Sequence, residues 1–301
     1  MTTFFGSCAR SARDFAKFIE KYEEYSEADT GQSCWQKNPG VSMIYLIYRW
    51  IQFIFHTAFA FMSIFELGRW YAPEYTVALT CIKSTKYYAK WLLYLTHWGL
   101  LVNLVQAFLA AWVVQKAYAA QKRVTSESTE GYKPLINAYC KLFVTAIHLS
   151  TYITLGFWLM VYEPQTCSVD LVTLSEHGFG TLLLLVDLVV AGTPYKLIYG
   201  LYSIILSFIY ICLTFVHFLF GALDRFDDKT YIYEKCDWNY PVAVIFYYII
   251  SVVLLASFHL TLWSIYLVRR RVSVLIRNGV EGGTHNSPSQ RQSTHQNIQA
   301  Q

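Results

Sequence analysis

The chain has 301 residues, of which 55% are hydrophobic and only 15% charged, with a formal net charge of +4. Soluble domains carry about 25% charged residues, so this balance, together with a mean hydropathy of +0.31, excludes an ordinary soluble globular domain. The small net charge, and the lack of a basic stripe interleaved with aromatics outside the apolar runs, exclude a nucleic-acid binder.

The N-terminal residues 1–40 lack the long apolar core of a cleavable signal peptide. The first apolar run is therefore expected to act as the insertion signal. Within this segment, residues 8–28 place Phe15, Phe18, Ile19, Tyr22 and Tyr25 on one face at helical spacing. That pattern predicts a short amphipathic helix lying on the membrane surface or against the rest of the protein.

A hydrocarbon core of about 30 Å needs about 20 apolar helical residues to cross it. Six segments meet this requirement: Val41 to Phe65, Trp91 to about Ala119, Ala138 to Val161, Leu171 to about Ala191, Leu197 to Ala222, and Val242 to Val268. They are continuous apolar runs, not the alternating segments of a barrel. The predicted fold is an all-α membrane protein, a bundle of about six transmembrane helices over 41–268. A cytosolic segment (1–40) precedes it, and a tail (269–301), first basic and then polar and disordered, follows. An even number of spans puts both termini on one side. That side holds fourteen Lys and Arg in its connections and termini against seven on the other, so both termini are expected to be cytosolic. Cys81, Cys167 and Cys236 fall one in each outward loop, where an oxidising compartment would allow one disulfide among them.

Polar groups within the runs carry the candidate chemistry, because hydrocarbon penalises them. One His lies in each span: His56, His97, His148, His177, His217 and His259. Asp187 lies in the fourth span and Arg49 in the first. The second span also carries Thr96, Asn103 and Gln106. Counted from the outer ends at 1.5 Å per residue, Thr96, His97 and His177 sit about 8 Å deep, and His217 joins the same layer. A hydroxyl beside an imidazole can form a nucleophile and its general base. Asp187 lies about 15 Å along the helix from His177, which makes His148 or Arg49 its better partner. Histidines facing one another across spans could instead hold haem or a metal, and any one of these side chains could simply bond a neighbouring helix. No P-loop, G-x-S-x-G, C-x-x-C pair or H-E-x-x-H is present, and no cofactor or metal is expected.

Several stretches resemble the rolling stone family of multi-pass membrane proteins. They are "YLIYRWIQF" (45–53), "KWLLYLTHWG" (90–99), "HGFGTLLLLVDLVVAGTPYKL" (177–197), "YSIILSFIYICLTFVHFLFGALDR" (202–225) and "YIYEKCDWNYPV" (231–242). The most specific parts are the Y-L-T-x-W-G opening of the second span and Asp237, Trp238, Asn239 and Pro241 before the sixth. The resemblance implies a plasma-membrane protein associated with myoblast fusion or cell adhesion, with other membrane proteins as partners; an endomembrane location is the alternative. More remotely, the chain is similar to the androgen-induced and androgen-dependent membrane proteins, six-helix hydrolases of fatty-acid esters that use a Thr nucleophile and a His. That similarity implies Thr96 as nucleophile, His177 as base with Asp187 ten positions on, and membrane lipids or a lipid ester as substrate. His97, Asn103, His148, Asp187 and His217 are the candidate supporting residues; His97, Asn103 and His217 could donate to an oxyanion.

Overall fold

The computed structural model describes residues 17, 30–70, 85–122, 133–163, 169–226 and 229–284. The amphipathic stretch 8–28, apart from Lys17, lies outside these residues. So do Cys81 and Cys167, and with them any disulfide in the outward loops.

Helix α1 spans Met43–Phe65. Ser42 caps it by accepting from the Tyr45 N–H, and Glu66 ends it in the left-handed region at φ 53°, its N–H returning to the Met62 carbonyl. Its buried stripe is Tyr45, Arg49, Gln52, His56, Phe59 and Ser63, residues three and four apart. Its outer face is Ile44, Ile47, Ile51, Ile54, Phe55 and Phe61. Polar inside and apolar outside is the arrangement hydrocarbon demands.

The short helix α2, Thr85–Ala89, runs into a tight 3-10 turn, Lys90–Leu93. Tyr94 is then extended, and α3 runs from Leu95 to Lys122. The second long helix therefore begins at Leu95, not at Trp91. The break is held by the Trp91 carbonyl, which is bonded to His97 Nδ1. Helix α4, Lys133–Gly156, ends in a π turn, Phe157–Val161. The next long segment is composite: α5 (Leu171–Leu174), a π turn (Ser175–Phe179), then α6 (Gly180–Val190). Helix α7 is Gly200–Leu219, and α8 is Pro241–Thr284. Among the described residues there is no strand; one isolated bridge pairs Ser33 with Ala191.

The chain is thus an all-α membrane protein. Among the described residues, five helical segments are long and apolar enough to cross a membrane: Leu95–Lys122, Lys133–Val161, Leu171–Val190, Leu197–Leu219 and Pro241–Arg277. Helix α1 has 23 residues, about 34 Å at 1.5 Å per residue; its inward Arg49, Gln52 and His56 lower its apolar character. Helix α4 is central, with Tyr139, Cys140, Phe143, Ile147 and His148 fully buried. Around it pack Leu184 and Leu188 of α6, Ala110 and Val113 of α3, and Leu262, Trp263 and Tyr266 of α8. Helix α8 lies at the periphery, with only 11% of its apolar window buried. It continues beyond Val268 through Arg269, which bonds the carbonyls of Leu188, Ala191 and Thr193. Cys34 meets the same turn through Val189 and Val190, so the described N-terminal segment and the far half of α8 share one end of the bundle.

Gly99 permits the close approach of α3 to α4. A β-carbon there would lie 2.6 Å from Ile153 Cδ1. Gly99→Val should lower the thermal midpoint in detergent, by an overpacking cost of about 1–3 kcal/mol, and Ile153→Ala in the same protein should recover part of the loss. An undiminished midpoint in Gly99→Val would contradict this packing.

Candidate functional site

A small pocket, with room for about one water-sized molecule, lies between α3, α4 and the composite fourth segment. Helix α3 presents Thr96, Gly99, Leu100 and Asn103 to it at spacings of three and four. Helix α4 adds Ser150 and Ile153, the π turn Ser175 and Glu176, and α6 Gly180 and Thr181. Its polar walls bond one another. Ser150 Oγ donates to Asn103 Oδ1 at 2.9 Å, and Thr181 Oγ1 donates to the Ser150 carbonyl at 3.0 Å. Thr181 also meets Thr154, Oγ1 to Oγ1, at 2.6 Å.

Glu176 is the centre of charge here, its side chain only 6% exposed. Its Oε1 accepts from Ser63 Oγ at 2.6 Å and lies 3.6 Å from His97 Nε2. Its Oε2 accepts from Arg69 at 3.1 Å and lies 4.0 Å from His177 Nε2. Trp91 Nε1 donates to Ser63 Oγ at 3.1 Å, and the Trp91 and His97 rings stack at 4.3 Å. A buried carboxylate is tolerated only with such partners. Reading the sequence for His and Asp missed Glu176, although it sits inside the fourth apolar run, directly before His177. An ionisable residue at membrane depth was the signal that could have found it.

His177 lies within the π turn with non-helical angles, φ −127° and ψ 21°, and π turns recur at functional sites. Its ring stacks on Phe157 at 3.7 Å, and its carbonyl accepts from Trp158 Nε1 at 2.7 Å. Its Nδ1 is buried without a hydrogen-bond partner. Thr96 is half-buried on the pocket wall, close to the Tyr233 phenol. Burial pushes the Tyr233 phenol pKa up, so this hydroxyl stays protonated and able to donate. No hydrogen bond joins Thr96 to His177. Glu176 lines the pocket together with Thr96 and directly precedes His177, which is itself not among the lining residues.

The other expected site residues divide. His97 joins the Glu176 cluster and Asn103 lines the pocket. His217 does not join them; its Nε2 bonds the Leu223 carbonyl at 3.3 Å. His148 bonds the Leu255 carbonyl and packs against His259, ring centroids 5.1 Å apart. Asp187 pairs with Arg49 rather than with His148. Arg49 Nη1 donates to both its oxygens, at 2.6 and 2.7 Å, and Tyr48 donates to Oδ1 at 3.0 Å. Asp187 therefore has no share in the pocket, and Glu176 is the acid beside His177. Among the described residues no group of three His, Cys, Asp or Glu is placed to hold a metal ion.

Asp170, just before α5, ties the start of the fourth segment to Trp70 beyond α1. Its side chain caps α5 by accepting from the Thr173 N–H at 2.7 Å and also accepts from the Trp70 N–H at 2.9 Å. Burial alone would raise its carboxyl, but these N–H groups and Arg69 outweigh it and hold the pKa below the ordinary value. A depressed folded-state pKa gives stability that is present above the unfolded value of about 3.9 and is lost as pH falls through the folded value. Asp170→Ala should thus cost about 1 kcal/mol at neutral pH. The gap between its thermal midpoint and that of the wild type should narrow below about pH 4; a gap that stays constant with pH would contradict the charged cap.

The family model described as "Protein rolling stone" matches residues 24–278. Protein rolling stone of Drosophila melanogaster is 23% identical over 250 residues, covering 79% of this chain and 82% of that protein. No solved structure matches the chain.

Proposed function

The chain belongs to the rolling stone family, and from that premise we propose that it is an intramembrane hydrolase of fatty-acid esters, acting at Thr96 and His177. The observation that carries the reading is the setting of His177. One ring nitrogen lies 4.0 Å from the buried Glu176 carboxylate, the other has no hydrogen-bond partner, and Thr96 lines the same pocket as Glu176. A base with a carboxylate beside one nitrogen and no partner on the other has the components of a hydrolytic triad, the carboxylate acting across 4.0 Å through its charge rather than a hydrogen bond. Glu176 takes the orienting role that the ten-residue interval had suggested for Asp187.

Chemically, Thr96 Oγ1 attacks the ester carbonyl carbon as His177 takes the hydroxyl proton. The C–O bond to the leaving alcohol breaks, and that alcohol receives the proton. Water then attacks the acyl-Thr96 carbonyl, His177 takes its proton and returns one to Thr96, and the fatty acid leaves. In the unliganded arrangement Thr96 and His177 are not bonded; catalytic hydrogen bonds often tighten only with substrate in place. Asn103, which lines the pocket with Thr96, and Tyr233, close to Thr96, are the donors assigned to a developing oxyanion. Six spans with both termini in the cytosol, and a plasma-membrane location, complete the proposal. The pocket then opens near the outer leaflet, within reach of membrane lipids.

The test is labelling of purified protein by a serine/threonine-directed active-site probe, with fatty-acid ester hydrolysis measured in parallel. Wild-type protein should label and turn over; Thr96→Ala should do neither. Labelling and hydrolysis retained in Thr96→Ala overturn the assignment and leave a non-enzymatic adhesion or fusion role as the better reading.

A further inference from the structure

Beneath the pocket, three buried side chains present polar atoms that meet nothing: His56 Nδ1, Gln52 Oε1 and Gln106 Nε2. Each residue is at most 6% exposed. Burying a polar group without a partner costs free energy, and three at one level of a membrane bundle point to a ligand. Their common level follows from helix register. Phe53 of α1 meets Phe108 of α3, ring centroids 5.5 Å apart. A β-carbon on Gly180 would lie 3.4 Å from Asn103 Nδ2 and 4.0 Å from His56 Cε1, so Asn103 and His56 face each other across that glycine. Helices α1 and α3 are antiparallel. One turn further from the pocket, Gln106 on α3 comes opposite the turn of α1 between His56 and Gln52. Gln52 Nε2 donates to the Tyr48 hydroxyl at 2.8 Å, and that hydroxyl donates to Asp187.

We infer that this interior is a water-binding chamber, floored by the Arg49–Asp187 pair and continuous with the pocket at Asn103. A water molecule can accept from Gln106 Nε2–H while donating to Gln52 Oε1 and to His56 Nδ1, about three bonds, the usual complement of a buried water. Each orphaned atom is then satisfied by one chemical species, and no other charged group is needed. On the hydrolase reading, the chamber would supply water to acyl-Thr96 from inside the bundle. The chamber itself does not depend on that reading, and its tests use no ester.

Two measurements decide it. The first is a double-mutant cycle on thermal midpoint in detergent with Gln106→Met and His56→Leu. Bridging water predicts that each single variant lowers the midpoint and that the double variant is no lower than the worse single, since one water network is lost once. A dry interior predicts the reverse: removing an unmatched polar group raises the midpoint or leaves it unchanged, and the two effects add. Either of those results overturns the inference. The second uses wild-type protein, so it stands even if a variant fails to fold. Brief X-ray radiolysis makes hydroxyl radicals from bound water where it sits. His56 should be oxidised, read by mass spectrometry, while the equally buried Phe143 stays intact. An unmodified His56 at doses that oxidise exposed side chains overturns the chamber.

Discussion

Thr96→Ala should reduce fatty-acid ester hydrolysis on the order of 10⁴-fold or more, the scale at which loss of a nucleophile disables a catalytic group acting as a unit. Folding should be preserved, because Thr96 is half-buried in the first turn of α3 and the helix start is held independently by His97 and Trp91. His177→Ala should be similarly severe, and the Thr96→Ala, His177→Ala double variant should be no worse than either alone, since removing one member already breaks the unit. Glu176→Gln keeps the size but removes the charge that faces both imidazoles. It should lose about 10²–10⁴-fold, as when a triad carboxylate becomes an amide. Initial rates on a fatty-acid ester in detergent or proteoliposomes, with size-exclusion profiles as the folding control, separate these cases. Full activity in the folded His177→Ala protein would refute the role given to its imidazole.

Asp187→Asn or Arg49→Met should each destabilise the bundle by about 3–5 kcal/mol, because removing one partner strands the other as an uncompensated buried charge. The pair is closed to solvent, with side chains 1% and 4% exposed, and it is bidentate. It is also embedded in phenols: Arg49 donates to the Tyr45 hydroxyl at 2.6 Å and to that of Tyr139 at 3.0 Å. Tyr139 in turn meets Thr193 Oγ1 at 2.7 Å, so the network ties α1, α4, α6 and the turn after α6 together. Replacing both charges, as Arg49→Met with Asp187→Leu, should cost much less than the sum of the singles, since a well-packed apolar pair can substitute for a buried ion pair. Thermal unfolding followed by intrinsic fluorescence reads this directly. An Asp187→Asn protein as stable as the wild type would remove the pair from the stability of the fold.

The sequence by itself determined the class of the molecule and the positions of its long helices. Apolar runs of helix length between polar connections admit little else in a membrane. The runs from Ala138 to Val161 and from Leu171 to Ala191 correspond closely to the helical segments Lys133–Val161 and Leu171–Val190. The family was also legible, through the short motifs around Thr96 and Asp237. Local details went astray where tertiary contacts override an apolar run. Trp91 to Tyr94 reads as the opening of a span, yet it turns, because the stacked Trp91 and His97 rings and the Trp91 carbonyl fix a break that no periodicity encodes.

Which polar groups meet was decided only by the folded bundle. Depth counting put Thr96, His97, His177 and His217 in one layer, but depth leaves azimuth free. His217 bonds Leu223 in the turn after its own helix, while packing between helices brought His97 to Glu176, the neighbour of His177 in the chain. Asp187 illustrates the same limit, since its partner was narrowed to Arg49 or His148 and only packing chose Arg49. Spacing along one helix constrains neighbours on that helix. Contact between helices depends on register and rotation, which here are set by residues remote in sequence: the Gly99 approach to Ile153, the Phe53–Phe108 contact and the Arg269 clasp on the turn after α6.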